Sequence, residues 1–191
     1  KSDKPQPPLI SIHTRESRDT MKIIKSFYLK FPQFKWITFR DLRNLPIQKF
    51  AEDLAESFVS VWVDDISGFG TFPLESMKCG VPVIGKVPNL KPEWMTEDNG
   101  IWTYEFNQMV DILGNFVQKW LEDELPEQLY LDMVTTSEKY NEQNFKDSVN
   151  SVFEAINQRK IQEVRMNLEK LTPVGADDTT LEGSVNELYN N

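Results

Sequence analysis

Short apolar runs alternate with amphipathic segments along the first half of the chain, and this alternation constrains the fold more than any other feature. The run LISIHT at residues 9–14 is β-branched and lies between prolines and charged residues, which predicts a buried strand. Because parallel neighbours need crossover connections, the alternation predicts an α/β fold with an open parallel sheet and helices on both faces. The further strands are predicted at residues 34–39, 58–63, 81–85 and 100–104, and the helices at 18–31, 46–57 and 73–79.

The rest of the chain is predicted to be helical and then acidic. Apolar residues recur at helical spacing over residues 109–121, as expected for a helix that packs on a core. The predicted domain spans residues 9–143, and residues 144–171 form one long helix or two short ones packed on it. A charged, proline-rich linker at residues 1–8 and an acidic tail at residues 172–191 complete the predicted organisation.

Composition excludes several classes of function. The chain has 21 Lys+Arg against 30 Asp+Glu, a formal charge of −9 that opposes binding to nucleic acid phosphates. A single cysteine, Cys79, permits no internal disulfide, and with one histidine it gives too few ligands for a structural zinc site. We expect a reduced, cytoplasmic protein without a membrane span, in which Cys79 is a small buried helix residue.

The stretch SGFGTFPLESMKCGVPVIG at residues 67–85 is the strongest functional candidate, because it follows the third strand at the ligand-binding edge of the sheet. Gly68 and Gly70 permit unusual backbone conformations and a close approach of a ligand. Pro73 suits the first turn of a helix, whose free N–H groups and positive end bind phosphate. Glu75, expected in that first turn, accepts hydrogen bonds only and suits paired sugar hydroxyls. The alternative is a tight connection in which Glu75 merely complements the helix dipole.

The same stretch resembles the signature of retaining GT-B glycosyltransferases of the family-four type. GFGTFPLESMKCGVPVIG matches a pattern of Gly-Phe-Gly, an apolar-proline stretch, Leu-Glu-Ala-Met, a small pair ending in Gly, and a Pro-Val-Ile strand. VPNLKPEW and NGIW resemble the segments that follow, and HTRESRDTMKIIKSF and FPQFKWITF resemble the first two strand and helix units of that domain. The resemblance covers residues 9–121 and implies a Rossmann-like domain that forms the C-terminal half of a GT-B fold.

This resemblance implies roles for particular residues. Glu75 matches the glutamate that holds the ribose hydroxyls, and Arg15 matches the arginine that neutralises the diphosphate. Thr20 stands where the family has a partner lysine, so Arg18 is expected to supply the second cation; Lys86 and Lys91 are weaker candidates. Ser67 replaces a glutamate associated with the transferred sugar, a departure that alters sugar binding or impairs transfer. The donor-binding set is Ser67, Gly68, Phe69, Gly70, Thr71, Leu74 and Glu75, and the catalytic set is Arg15, Arg18 and Glu75.

Three neighbouring residues have competing explanations. His13 lies in the first predicted strand, where a packed histidine and a donor-site histidine are both consistent with the sequence. Asp64 and Asp65 follow the third strand, and a pair of carboxylates is one feature of a metal site. Adjacent strand residues point to opposite faces, so we expect a solvated loop there instead.

The resemblance implies transfer of a sugar from a nucleotide diphosphate sugar to an acceptor hydroxyl. Arg15, Arg18 and the backbone amides of residues 69–75 would stabilise the leaving diphosphate, with no metal or other cofactor. The implied partners are the nucleotide-sugar donor and a carbohydrate or lipid-linked acceptor bound by a missing N-terminal domain, so this chain alone should bind donor without transferring. The alternatives are a non-catalytic nucleotide-binding or interaction module of the same fold and a nucleotide-sugar epimerase, which would need further catalytic carboxylates and histidines.

Overall fold

The computed structural model describes the backbone of residues 7–171 and the side chains of residues 7–167. Most of the predicted linker at residues 1–8 and all of the predicted tail at 172–191 lie outside the described residues. Contacts divide the chain into two units, with the boundary between Tyr140 and Asn141. The packing of residues 144–171 on the first unit stays a prediction.

Five parallel strands form one open sheet in the order β2-β1-β3-β4-β5. The predicted open parallel α/β sheet is therefore confirmed. Four of the strands lie within a few residues of their predicted positions, since their buried β-branched residues suit a sheet covered on both faces. The strands are β1 (Leu9–Thr14), β2 (Thr38–Asp41), β3 (Ser57–Val63), β4 (Val83–Lys86) and β5 (Ile101–Thr103).

Helices cover both faces of this sheet, also as predicted. A right-handed crossover from β1 to β2 places α1 on one face, and crossovers in the opposite direction place α2 and α3 on the other. α4 packs on α1, and α5 packs on α3. The helices are α1 (Ser17–Lys30), α2 (Ile47–Ala55), α3 (Thr71–Lys78), α4 (Met109–Leu121), α5 (Glu127–Glu138) and, in the second unit, α6 (Glu142–Leu171).

Some element boundaries differ from the prediction. The second strand begins at Thr38 and not at residue 34. Residues Pro32–Phe34 form a 3-10 turn instead, so Phe34 is buried without being part of the sheet. Residues 127–138 form a separate helix in the region that was predicted to be helical, but the sequence analysis gave no bounds for it. Residues 144–171 belong to one continuous helix. Within the described residues, no helix is both long enough and apolar enough to span a bilayer.

Two aromatic clusters lie in the first unit. The phenylalanine cluster packs α1 against β2, with Phe27 fully buried at its centre and its ring 5.3 Å from that of Phe39. The tryptophan cluster lies by β3, β4 and β5. The phenylalanine cluster comprises Phe27, Phe31, Phe34 and Phe39, and the tryptophan cluster comprises Trp62, Trp94 and Trp102.

Candidate functional site

The strand order reverses direction between β1 and β3. The chain leaves β1 towards β2 on one side and leaves β3 towards β4 on the other, which opens a crevice at the carboxyl ends of these two strands. Arg15 follows β1 and Asp64 follows β3, so these residues flank the crevice. The predicted ligand edge therefore coincides with the switch point of the sheet.

Asp64 links the two sides of the crevice. An oxygen of its carboxylate, Oδ1, lies 3.5 Å from Nη1 of Arg15 and accepts hydrogen bonds from the amides of Ile66 and Ser67, each 3.1 Å long. The predicted solvated position is wrong for Asp64, whose side chain is only 16% exposed because of these contacts. Asp65 is half exposed and pairs with Lys86, a weaker phosphate candidate of the sequence analysis.

The glycine-rich loop, residues 67–70, connects Asp64 to α3. Ser67 Oγ accepts a hydrogen bond of 2.9 Å from the amide of Gly70. Gly70 has a φ of 69°, and a Cβ atom there would lie 2.9 Å from the ring of Trp62. Gly70 therefore needs to be glycine for its conformation and for its close packing, whereas Gly68 has no positive φ.

Helix α3 begins directly after this loop. Gly70 is its N-cap and Thr71 its first residue, so the helix begins two positions earlier than predicted. Among the described residues, no side chain makes a capping hydrogen bond to this helix start. The amides of Thr71 and Phe72 remain available to a ligand, because the first N–H groups of a helix have no partner within it. The prediction that Glu75 belongs to the first turn is wrong, since it is the fifth helical residue.

Glu75 nevertheless lies near this helix end. Thr71 and Glu75 are four residues apart, hence on one helix face, and both are exposed. Partial burial of the carboxyl group raises the pKa of Glu75. Leu74, from the predicted donor-binding set, is buried in the core, whereas Phe69 is 46% exposed and meets the ring of Tyr140 edge-on at 5.6 Å.

The cationic residues of the predicted set differ in their surroundings. Arg15 is half exposed beside Asp64, and Arg18 is an exposed residue in the first turn of α1. Thr20 is buried and its hydroxyl lies 2.6 Å from that of Thr14, so it braces α1 against β1. Because Thr20 is buried and its hydroxyl is bound to Thr14, it cannot bind phosphate in place of the lysine that the resembling glycosyltransferases have at this position.

His13 is a residue of β1, and its side chain packs against the start of α3. Its ring stacks on Phe72 with 4.9 Å between the ring centroids, and its Nδ1 atom is buried without a hydrogen-bond partner among the described residues. Burial lowers the pKa of His13, against the opposing effect of the Asp41 and Asp64 carboxylates. The ring packing and the lowered pKa both favour the neutral form of His13. Cys79, predicted to be buried, is exposed because it lies at the end of α3.

The sequence analysis missed the residues that support the loop. Trp94 Nε1 donates a hydrogen bond of 2.6 Å to the carbonyl of Phe69, and Asn99, fully buried, donates from Nδ2 to the carbonyl of Trp94. Trp94 is 25 residues from Phe69 in sequence. No local pattern signals a contact at that separation.

A cavity of about 440 Å³ lies elsewhere in the first unit, between the residues that precede β5 and helices α4 and α5. Its walls include Ile101, Phe116 and Leu129 and contain no predicted site residue. Among the residues that the structure describes, no group of three or more His, Cys, Asp or Glu side chains could hold a metal ion.

Solved structures share this fold. The class that the fold defines is the open parallel, Rossmann-like α/β sheet, and the solved structures that share it are GT-B glycosyltransferases. The GtfA/B complex aligns with a TM-score of 0.61 at 9% identity over 82% of this chain and 37% of that one. The pneumococcal O-GlcNAc transferase GtfA, in complex with UDP and GlcNAc, aligns with a TM-score of 0.56 at 11% identity over 81% and 37%.

A third similar structure is Anabaena Alr3699/HepE in complex with UDP, with a TM-score of 0.53 at 14% identity over 80% of this chain and 42% of that one. The chain thus spans less than half the length of each of these proteins. No family model and no curated protein matches the sequence. At such low identity the structural likeness establishes the fold, and the site must be argued from its own residues.

Proposed function

We propose that the chain binds a nucleotide diphosphate sugar at the crevice between β1 and β3, as the donor-binding domain of a retaining, family-four type glycosyltransferase. The observation that carries the proposal is that Arg15 and the free amides at the start of α3 follow the two strands that flank the switch point of the sheet. Helix N-termini and arginines both bind phosphate oxygens. The UDP complexes of the similar GtfA and HepE structures support the same ligand class.

Each residue type suits one part of the donor. The amides of Thr71 and Phe72, with Arg15 and Arg18, would bind the diphosphate and stabilise the charge that develops on it as the sugar leaves. The Glu75 carboxylate, one turn behind these amides, would accept hydrogen bonds from the ribose hydroxyls. These cations take the part of a divalent ion, so the proposal includes no metal or other cofactor.

The proposal extends to the whole protein. Transfer to a carbohydrate or lipid-linked acceptor hydroxyl would need a second domain to hold the acceptor, in keeping with the partial coverage of the similar structures. We place the protein in the cytoplasm, because its single cysteine, Cys79, suits a reducing compartment.

Titration calorimetry tests the donor site. We expect UDP or GDP to bind more tightly than the corresponding nucleoside, and Glu75→Ala to weaken binding by about tenfold, the loss typical of a charged hydrogen-bonding group. The matched control is Glu52→Ala, which removes an exposed carboxylate from α2. Arg15→Ala should reduce the advantage of the diphosphate over the nucleoside, because it removes one of the groups proposed to bind the diphosphate. Equal binding of nucleoside and diphosphate, or equal effects of the two glutamate variants, would contradict the proposal.

A second candidate is a module that binds nucleotide without transferring sugar. The observation in its favour is Ser67, which replaces the family glutamate and whose hydroxyl already accepts the Gly70 amide. Donor hydrolysis by the full-length protein distinguishes the two functions. Activity in the wild type supports transfer, whereas nucleotide binding with no activity in either the wild type or Ser67→Glu supports the module.

A further inference from the structure

We propose that Trp94 is a positioning residue for the diphosphate site, acting with Ser67 to hold one peptide unit of the glycine-rich loop; this inference rests on the proposed function. The carbonyl of Phe69 and the N–H of Gly70 belong to the same planar peptide. Trp94 Nε1 binds the carbonyl at 2.6 Å, and Ser67 Oγ binds the N–H at 2.9 Å. Both ends of the peptide are therefore fixed.

This peptide needs such a restraint because it precedes a glycine. Glycine adopts positive and negative φ about equally, so rotation of the peptide before Gly70 meets little steric opposition. The peptide also leads directly into the first turn of α3, whose N-cap is Gly70. It is the last peptide before the amides of Thr71 and Phe72, so a fixed orientation keeps the loop in one position beside them. A loop that is fixed before the diphosphate binds loses less conformational freedom on binding, which favours affinity.

Trp94 is itself held rigidly. It is 3% exposed, and its ring centroid lies 6.5 Å from that of Trp62 and 5.8 Å from that of Trp102. The Asn99 side chain makes two hydrogen bonds to the segment that contains Trp94. Its Nδ2 donates a hydrogen bond of 2.5 Å to the carbonyl of Trp94, and its Oδ1 accepts one of 3.1 Å from the amide of Thr96. The indole donor is therefore a fixed point of the core against which the loop is placed.

The inference also gives Ser67 a defined role. In the family that this chain resembles, a glutamate occupies the position and is associated with the transferred sugar. Here the hydroxyl is the acceptor for the Gly70 amide. Ser67 and Trp94 act on the same peptide, so loss of one bond should reduce the benefit of the other.

The test compares Trp94→Phe with Trp102→Phe. Each variant removes one indole donor to a backbone carbonyl, but that of Trp102 binds Thr96 and not the loop. Hydrogen exchange of the Gly70 amide is measured first, in the full chain without nucleotide. We expect exchange to accelerate about three- to tenfold in Trp94→Phe, the effect of one ordinary hydrogen bond, and to be unchanged in Trp102→Phe.

UDP affinity is measured next by calorimetry. It should weaken by a similar factor in Trp94→Phe, and the double variant Ser67→Ala/Trp94→Phe should lose less than the product of the two single losses. Replacement of Trp94 by benzothienylalanine, which keeps the ring shape and removes only the N–H donor, provides the same test without a change in packing.

The outcomes separate this inference from the proposed function. Unchanged exchange of the Gly70 amide in both Trp94 replacements would overturn the positioning role, whatever the nucleotide affinity. Faster exchange with no nucleotide binding in any variant, the wild type included, would support the loop restraint and overturn the proposed donor site.

Discussion

The phenylalanine cluster and the tryptophan cluster are both packed in the first unit, but their rings offer different contacts. Phe27 and Phe39 meet edge to face and have no polar atom to offer the backbone. Trp94 and Trp102 pack with each other and also donate from Nε1 to the carbonyls of Phe69 and Thr96. The first cluster thus stabilises the fold, and the second also determines how loops lie on it.

The largest expected effect separates these clusters by stability. Phe27→Ala removes a fully buried ring from the centre of the phenylalanine cluster and should lower the free energy of unfolding by about 3–5 kcal/mol. Urea denaturation measures the loss. Leu29→Ala is the control on the same helix, where the side chain is 83% exposed, and should change stability by less than about 0.5 kcal/mol. Similar losses of unfolding free energy in the two variants would show that the phenylalanine cluster does not stabilise the fold.

A medium effect sharpens the comparison at Gly70. Gly70→Ala forces a side chain to a φ of 69° and brings its Cβ to 2.9 Å from Trp62, so we expect a loss of about 2–4 kcal/mol in urea denaturation. Gly80→Ala is the matched control, since Gly80 has a φ of 73° but no atom within 4 Å of the added Cβ. The control should lose only about 1–2 kcal/mol from backbone strain. Equal losses of unfolding free energy in the two variants would mean that the tryptophan rings move to accommodate the new methyl group.

The smallest expected effect concerns pH and His13. Because burial lowers the pKa of His13 in the folded protein, the unfolded chain binds more protons as the pH falls through the ordinary histidine range. Wild-type stability should therefore decrease between about pH 7 and pH 5, and His13→Phe should flatten this dependence while keeping a ring against Phe72. The chain has one histidine, so the difference between the two urea series isolates this group. Parallel slopes would refute a buried, neutral His13.

The sequence predicted most of the fold because the relevant signals are local. The strand at residues 9–14 has the β-branched pattern of a buried strand, and it occupies those residues in the structure. The bounds of α5 were not predicted because residues 127–138 bury only Leu129, Met133 and Ser137, too few apolar positions for a clear stripe. The early start of α3 was missed because Pro73, taken as the first helical residue, is the third.

The candidate site was predictable only in part. The two glycines and the following helix start are adjacent in sequence, so their phosphate-binding potential can be recognised there. The contact of Arg15 with Asp64 joins the ends of two strands 49 residues apart, and it exists because β1 and β3 pair in the sheet. Parallel pairing brings together residues that no local window contains.

By itself, the sequence determined the alternation of strands and helices, the glycine at residue 70 and the carboxylate at residue 75, because these depend on local periodicity and residue type. Tertiary structure alone decided that β1 lies beside β3, that Asp64 meets Arg15 and that Trp94 meets the Phe69 carbonyl. Those contacts follow from burial of both faces of a parallel sheet, which is a property of the whole first unit and of no single segment.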